Sequence, residues 1–171
     1  VPFRDAMAQF GVPVLRKQLA QTPECAEVNI ISSEDRDVLG DGKRLVNGAN
    51  WHTDDSFMRE PCSLTMLYGV VVPSVGGDTQ FTNLVAAYNA LSPVMQKFVD
   101  GLRGVHRFAP PAGVDHTPEY LELMRKRTLV SEHPIVRVHP ETGERALFVS
   151  PSFLKSIVGV SPRESQVLLE F

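Results

Sequence analysis

His52 and Asp54 stand one residue apart in the run Asn50-Trp51-His52-Thr53-Asp54-Asp55-Ser56-Phe57. On an extended segment, side chains two positions apart leave the backbone on the same side. An imidazole and a carboxylate so arranged can take neighbouring positions on one metal ion. With one distant His they would make the 2-His-1-carboxylate set of non-haem Fe(II) sites, whose opposite face stays open. A bare His-x-Asp also arises as a surface pair or beside a satisfied core histidine, so its neighbours decide its weight. Trp51 and Phe57 flank the pair with apolar bulk that would dry and shape a pocket. Downstream, Gly76-Gly77-Asp78-Thr79 brings a hydroxyl onto the next strand after a tight turn. The remaining histidines are His106, His116, His133 and His139.

The elements that must position these residues are legible in part. Residues 63–72 carry the strongest strand signal, apolar on both faces and therefore expected between two layers. Residues 73–77 read as a turn and 78–82 as an alternating strand. Asn83 caps a helix over 84–91. Ser92 caps the next, with Pro93 at its first position and Val94, Met95, Phe98, Val99 and Leu102 at helical spacing. Upstream, Gly11 and Pro13 divide residues 5–21 into two short helices, and 28–31 reads as a short strand. Residues 32–50 form a loop rich in charges and turn-formers, serving as a lid or as a connection. Residues 109–118 are irregular and 119–127 a short helix. Residues 134–139 and 146–149 make a hairpin about a turn at 140–144. Ser161-Pro162-Arg163-Glu164 is a capping box opening a final helix. That helix reaches Phe171 without a stop signal, so further sequence is expected. Hairpin-joined strands with helices on one side predict an α+β, mainly β, protein built on an antiparallel sandwich or barrel.

A chain of 171 residues fits one domain with a sizeable core. At 43% hydrophobic and 22% charged residues it has an ordinary globular composition. A net charge of −3 leaves no electrostatic footprint for nucleic acid. No apolar run approaches the ~18 residues of a membrane-spanning helix, and Val1-Pro2-Phe3-Arg4-Asp5 lacks a signal-peptide layout. Cys25 and Cys62 make no disulfide framework and are expected as buried thiols in a reducing, cytoplasmic setting.

Several motifs together resemble the TauD/TfdA family of Fe(II)- and 2-oxoglutarate-dependent dioxygenases. They are Trp51-His52-Thr53-Asp54-x-Ser56-Phe57, the Val71-Val72-Pro73 end of the apolar run, Gly76-Gly77-Asp78-Thr79, Ala86-Ala87-Tyr88-x-Ala90-Leu91, and the hairpin run from His133 to Phe148. The resemblance covers about 45–108 and 132–171; residues 1–44 match only loosely. It implies a double-stranded β-helix (jelly-roll) core with appended helices, and a single dioxygenase domain over 1–171 that is incomplete at both ends. It implies that His52 and Asp54 bind the iron and that Thr79 hydrogen-bonds a carboxylate of 2-oxoglutarate. Trp51, Asp55, Phe57 and Phe153 take positions facing the substrate. Core packing is the alternative for the three aromatic residues, a solvated turn acid for Asp55 and a plain strand threonine for Thr79.

The family's third iron ligand is a His beyond the helix that opens at Ser161. An Arg a few residues further pairs with the distal carboxylate of 2-oxoglutarate. Neither position falls within these 171 residues. His133 and His139 correspond to structural positions of the hairpin, and His116 to a surface residue. The implied reaction hydroxylates a small organic acid of the sulfonate, sulfate ester or aryloxyalkanoate type while 2-oxoglutarate is decarboxylated to succinate. The implied partners are a small anionic substrate and O2, with no nucleic acid and no membrane; a homo-oligomer is left open. Arg59 and Arg107 are candidate cationic partners for the substrate, with surface roles as the alternative. The competing readings are a site completed by another subunit, a non-catalytic jelly-roll binding module, and a serine hydrolase. The last lacks a Gly-x-Ser-x-Gly elbow.

Overall fold

Residues 2–15, 21–32, 48–109, 118–126 and 129–170 are described by the computed structural model. In chain order the elements are α1 (Pro2–Met7), β1 (Gln21–Thr22), β2 (Cys25–Asn29), α2 (Leu84–Ala90), α3 (Pro93–Val99), β3 (Arg103–Arg107), α4 (Pro118–Lys126), β4 (Val130–Pro134), β5 (Val136–Val138), β6 (Arg145–Leu147), β7 (Leu154–Ile157) and α5 (Pro162–Glu170). They divide between two units. One comprises Val1–Ala49, Cys62–Ser74 and Pro110–Arg127; the other comprises Asn50–Pro61, Val75–Ala109 and Thr128–Phe171.

The second unit carries the His52-x-Asp54 run and is built on antiparallel pairing. β3 lies between β4 and β7, with Arg103 opposite Pro134 and Gly104 opposite Ile157. The β3–β7 register shifts between Val105 and His106. β5 and β6 form a hairpin with Val136 opposite Leu147. Its turn is closed by His139, whose Nδ1 accepts from the backbone N–H groups of Glu141 and Thr142 at 3.3 Å each. Gly143 adopts φ +73° there, a conformation that costs a side-chain-bearing residue energy. Ile135, Leu154 and Ile157 are buried together, with Val99, Leu102, Leu147, Val149 and Val160 packed against them. Full burial of side chains such as Ile135, Leu154 and Ile157 stabilises a fold by about 1.5–3 kcal/mol each. Gly104 allows this close approach: a Cβ at that position would collide with Leu154 Cδ1 and Ile135 Cδ1.

The helices of this unit start where their caps dictate. The Asn83 side chain accepts from Val85 N and Ala86 N at 2.9 and 3.0 Å. Ser92 Oγ accepts from Met95 N at 3.3 Å, with Pro93 at the first helical position. At α5 the capping box forms in both directions: Ser161 N donates to Glu164 Oε2 at 2.8 Å and Glu164 N to Ser161 Oγ at 3.4 Å. The Ser161 hydroxyl, and then its backbone, hold the Glu164 carboxyl below its usual pKa. Ser165 Oγ accepts from Ile157 N at 2.7 Å, tying α5 to β7. Tyr88 donates its hydroxyl to Asp100 at 2.9 Å, and Asp100 also pairs with Arg145.

In the first unit, β1 and β2 pair antiparallel and Arg4 of α1 pairs with Glu27 at 4.0 Å. The Phe3 and Tyr68 rings meet at 5.7 Å. Buried Cys25 and half-buried Cys62 are both thiols.

Several expectations are corrected. Residues 63–72 form no strand; they are irregular and largely exposed, Val71 by 90%. Residues 78–82 likewise join no ladder, and Phe81 is 86% exposed. Apolar composition can signal a sandwiched strand, but a strand persists only where its N–H and C=O groups find partners. Among the described residues no strand forms a ladder with these runs. The N-terminal helix spans Pro2–Met7, and 12–15 are irregular. The strand expected at 28–31 is β2, which ends at Asn29. Most of the loop expected over 32–50 and of the segment 109–118, with His116, lies outside the described residues. Among the described residues no helix is long and apolar enough to cross a membrane.

Candidate functional site

The run that carries His52 and Asp54 is not the extended strand that the spacing predicts. Residues 51–53 are irregular and 54–57 form a turn. Ser56 N donates to Thr53 O at 3.4 Å and Met58 N to Asp55 O at 2.8 Å. Asp55 has φ +55°, a left-handed conformation that Asp tolerates better than most residues. The turn still brings the pair together. His52 Nε2 lies 3.4 Å from Asp54 Oδ1, with the side chains 31% and 33% exposed. His52 Nδ1 sits 2.8 Å from Asn50 O. A carbonyl can only accept, so Nδ1 carries the proton and, in the neutral ring, Nε2 keeps its lone pair toward Asp54. This is the tautomer a metal ligand needs, fixed by a backbone carbonyl behind it.

The donor chemistry is compatible with one ion. Donors about 2.1 Å from a common metal can stand up to roughly 4.2 Å apart, and 3.4 Å lies inside that limit. The set stops at two. Among the described residues no group of three or more His, Cys, Asp or Glu is arranged to hold a metal.

Aromatic residues back the imidazole. The Phe153 ring meets His52 edge-on at 6.4 Å and Phe57 at 4.9 Å. Phe108 closes the group, 5.1 Å from Phe57 and 6.1 Å from Phe153. Phe57 is buried, whereas Trp51 is half exposed. Of the residues predicted to face substrate, Phe57 and Phe153 thus gather with His52, and Asp55 lies in the same turn. Thr79 is exposed in an irregular stretch, and among the described residues no hydrogen bond joins it to His52 or Asp54. Arg59 and Arg107 are exposed.

Behind the turn lies a polar layer that sequence reasoning missed. Thr53 N donates to Ser150 Oγ at 3.0 Å. Trp51 O accepts from Ser152 N at 3.2 Å and Ser152 Oγ at 3.0 Å. His133 is buried and its Nε2 lies 2.9 Å from Met58 O, to which it donates. His106 is fully buried, stacked on Phe148 at 5.4 Å and edge-on to His133 at 5.5 Å. Among the described residues neither nitrogen of the His106 ring has a hydrogen-bond partner, nor does the buried Ser56 Oγ. Burial, helped by the neighbouring His133, drags the His106 pKa from 6.5 to about 4. Burial also lowers that of His133, as do Arg137 and Arg103, against the opposing effect of its bonds to the Met58 and Ser56 backbone. A structural position for His133 is expected from the hairpin motif, and the side chain is buried here. No local signal announces Ser150.

Comparison with known proteins bears on this arrangement. The sequence model of the Taurine catabolism dioxygenase TauD, TfdA family matches residues 2–171. An alpha-ketoglutarate-dependent sulfate ester dioxygenase of Pseudomonas putida is 38% identical over 135 residues, covering 75% of this chain and 44% of the relative. An alpha-ketoglutarate-dependent 2,4-dichlorophenoxyacetate dioxygenase of Cupriavidus pinatubonensis is 32% identical over 149 residues, covering 85% and 52%. The crystal structure of a taurine dioxygenase from Burkholderia xenovorans aligns with a TM-score of 0.60 at 57% identity, over 71% of this chain and 38% of that one. The chain therefore spans about half or less of the length of these relatives.

Proposed function

This chain belongs to the TauD/TfdA dioxygenase family, and from that premise we propose that it carries part of the metal centre of an Fe(II)- and 2-oxoglutarate-dependent dioxygenase. The substrate is a small organic acid of the sulfonate, sulfate ester or aryloxyalkanoate type, the range spanned by the relatives' own activities. Antiparallel sheets and the β5–β6 hairpin support a jelly-roll core for the domain.

His52 and Asp54 hold the iron. When bound with 2-oxoglutarate, the metal supplies oxidative decarboxylation to succinate coupled to hydroxylation of a substrate C–H bond by O2. The chain's own residues prepare that site. Asn50 O orients the imidazole through Nδ1, and the ring presents Nε2 beside the Asp54 carboxylate. Phe57 and Phe153 keep water from one side of His52. Thr79 donates its hydroxyl to a carboxylate of 2-oxoglutarate, and Trp51 and Asp55 border the substrate. The two donors found among the described residues would by themselves hold the metal weakly.

The observation that carries this reading is the 3.4 Å approach of His52 Nε2 to Asp54 Oδ1 with Nδ1 already engaged. Anaerobic titration of the chain with Fe(II) and 2-oxoglutarate tests it. A weak visible metal-to-ligand band is expected, lost in both His52→Ala and Asp54→Ala. A band that survives either substitution, or no band at millimolar Fe(II), would refute it. Turnover of 2-oxoglutarate in the same samples separates an enzyme from a non-catalytic member, which the two-donor set among the described residues also fits.

A further inference from the structure

We propose that Ser150 is a positioning residue for the His52–Asp54 pair; the inference rests on the metal-site reading above. Ser150 is fully buried, and its Oγ accepts from the N–H of Thr53, the residue between the two donors, at 3.0 Å. The contact spans 97 residues of sequence, so it is made by the fold and not by local geometry. Ser150 is itself fixed: its carbonyl accepts from Phe153 N at 2.9 Å and Leu154 N at 2.7 Å, where β7 begins. β7 is in turn paired with β3.

The turn at 150–153 therefore grips the 51–53 run at three points. Ser152 takes Trp51 O through both its N–H and its hydroxyl, Phe153 takes the His52 ring edge-on, and Ser150 takes Thr53 N. The first has two donors and survives loss of either. The Ser150 bond has one, and it fixes the peptide through which His52 and Asp54 are linked. Without it, the peptide that links the two donors loses this anchor to the fold, and the geometry presented to a cation loosens. Residues that orient metal ligands from behind typically change metal affinity by about 10- to 100-fold when removed.

The test is Mn(II) titration of the full chain, read by water-proton relaxation, with His52→Ala as the control for site identity. Ser150→Ala is expected to weaken Mn(II) at least about 10-fold, while the thermal midpoint and the amide spectrum of β3 and β4 stay near wild type. Ser150→Thr, which keeps the hydroxyl, is expected to restore affinity. If Ser150→Ala does not fold, the nearly isosteric Ser150→Cys, a weaker acceptor, carries the test with a several-fold loss expected. Wild-type affinity in a folded Ser150→Ala or Ser150→Cys overturns the role of Ser150 and leaves the metal site standing. Equal Mn(II) binding by wild type and His52→Ala, or none by either, overturns both.

Discussion

Replacing His106 by Phe is expected to make the fold less sensitive to mild acid. His106 is fully buried between the His133 and Phe148 rings, and neither of its nitrogens has a hydrogen-bond partner among the described residues. In the unfolded chain it binds a proton with a pKa near 6.5; in the folded chain burial, helped by His133, brings this to about 4. The unfolded state then binds the proton more tightly, and folding must release it. The neutral ring's contribution is complete above pH 6.5, falls as the pH drops through that value, and is spent by about pH 4. At about 1.4 kcal/mol for each pH interval of one, that window is worth on the order of 3 kcal/mol. Small domains hold a total of about 5–15 kcal/mol, so the loss is large. His133, whose pKa is lowered chiefly by burial, acts in the same direction. Phe at 106 fills a similar volume, keeps the stack on Phe148 and cannot titrate. Urea unfolding between pH 7.5 and 4.5 measures the effect. Wild type should lose roughly 2–3 kcal/mol more than His106→Phe across that range, while carboxylates titrate alike in both. Parallel pH profiles for the two proteins would falsify the assignment of acid sensitivity to His106.

Two further substitutions probe the frame. Gly104→Ala puts a Cβ against Leu154 and Ile135 in the buried core, and overpacking there should lower stability by about 1–3 kcal/mol in chemical denaturation; an unchanged midpoint would contradict the packing described. Asn83→Ala removes the acceptor for two helix N–H groups of α2 and should destabilise the fold by about 1 kcal/mol, with Asn83→Asp close to wild type.

What was legible in the sequence was local chemistry. Asn83, Ser92 and the Ser161/Glu164 box start helices because a side-chain oxygen within three residues satisfies an orphan N–H, and nothing distant can change that. The hairpin was readable for the same reason, its turn being closed by His139 and Gly143. β3 was not readable, because its inward residues are Gly104 and His106. A glycine chosen for close packing and a histidine forced neutral do not register as an apolar stripe. The opposite error befell 63–72, where apolar residues imply burial only if another element arrives to cover them.

The His52-x-Asp54 pair combines both lessons. Spacing of two suggested a common side through strand geometry, yet the chain turns at 54–57 and Asp55 sits at φ +55°. The donors converge because the peptide between them is held from outside, by a serine 97 residues away, and because the imidazole is held from behind by Asn50. A short motif can name the atoms that could share a cation. Their separation belongs to the turn and to what the fold fastens beneath it, which is why substitution of Ser150, and not of either donor, asks whether the geometry itself matters.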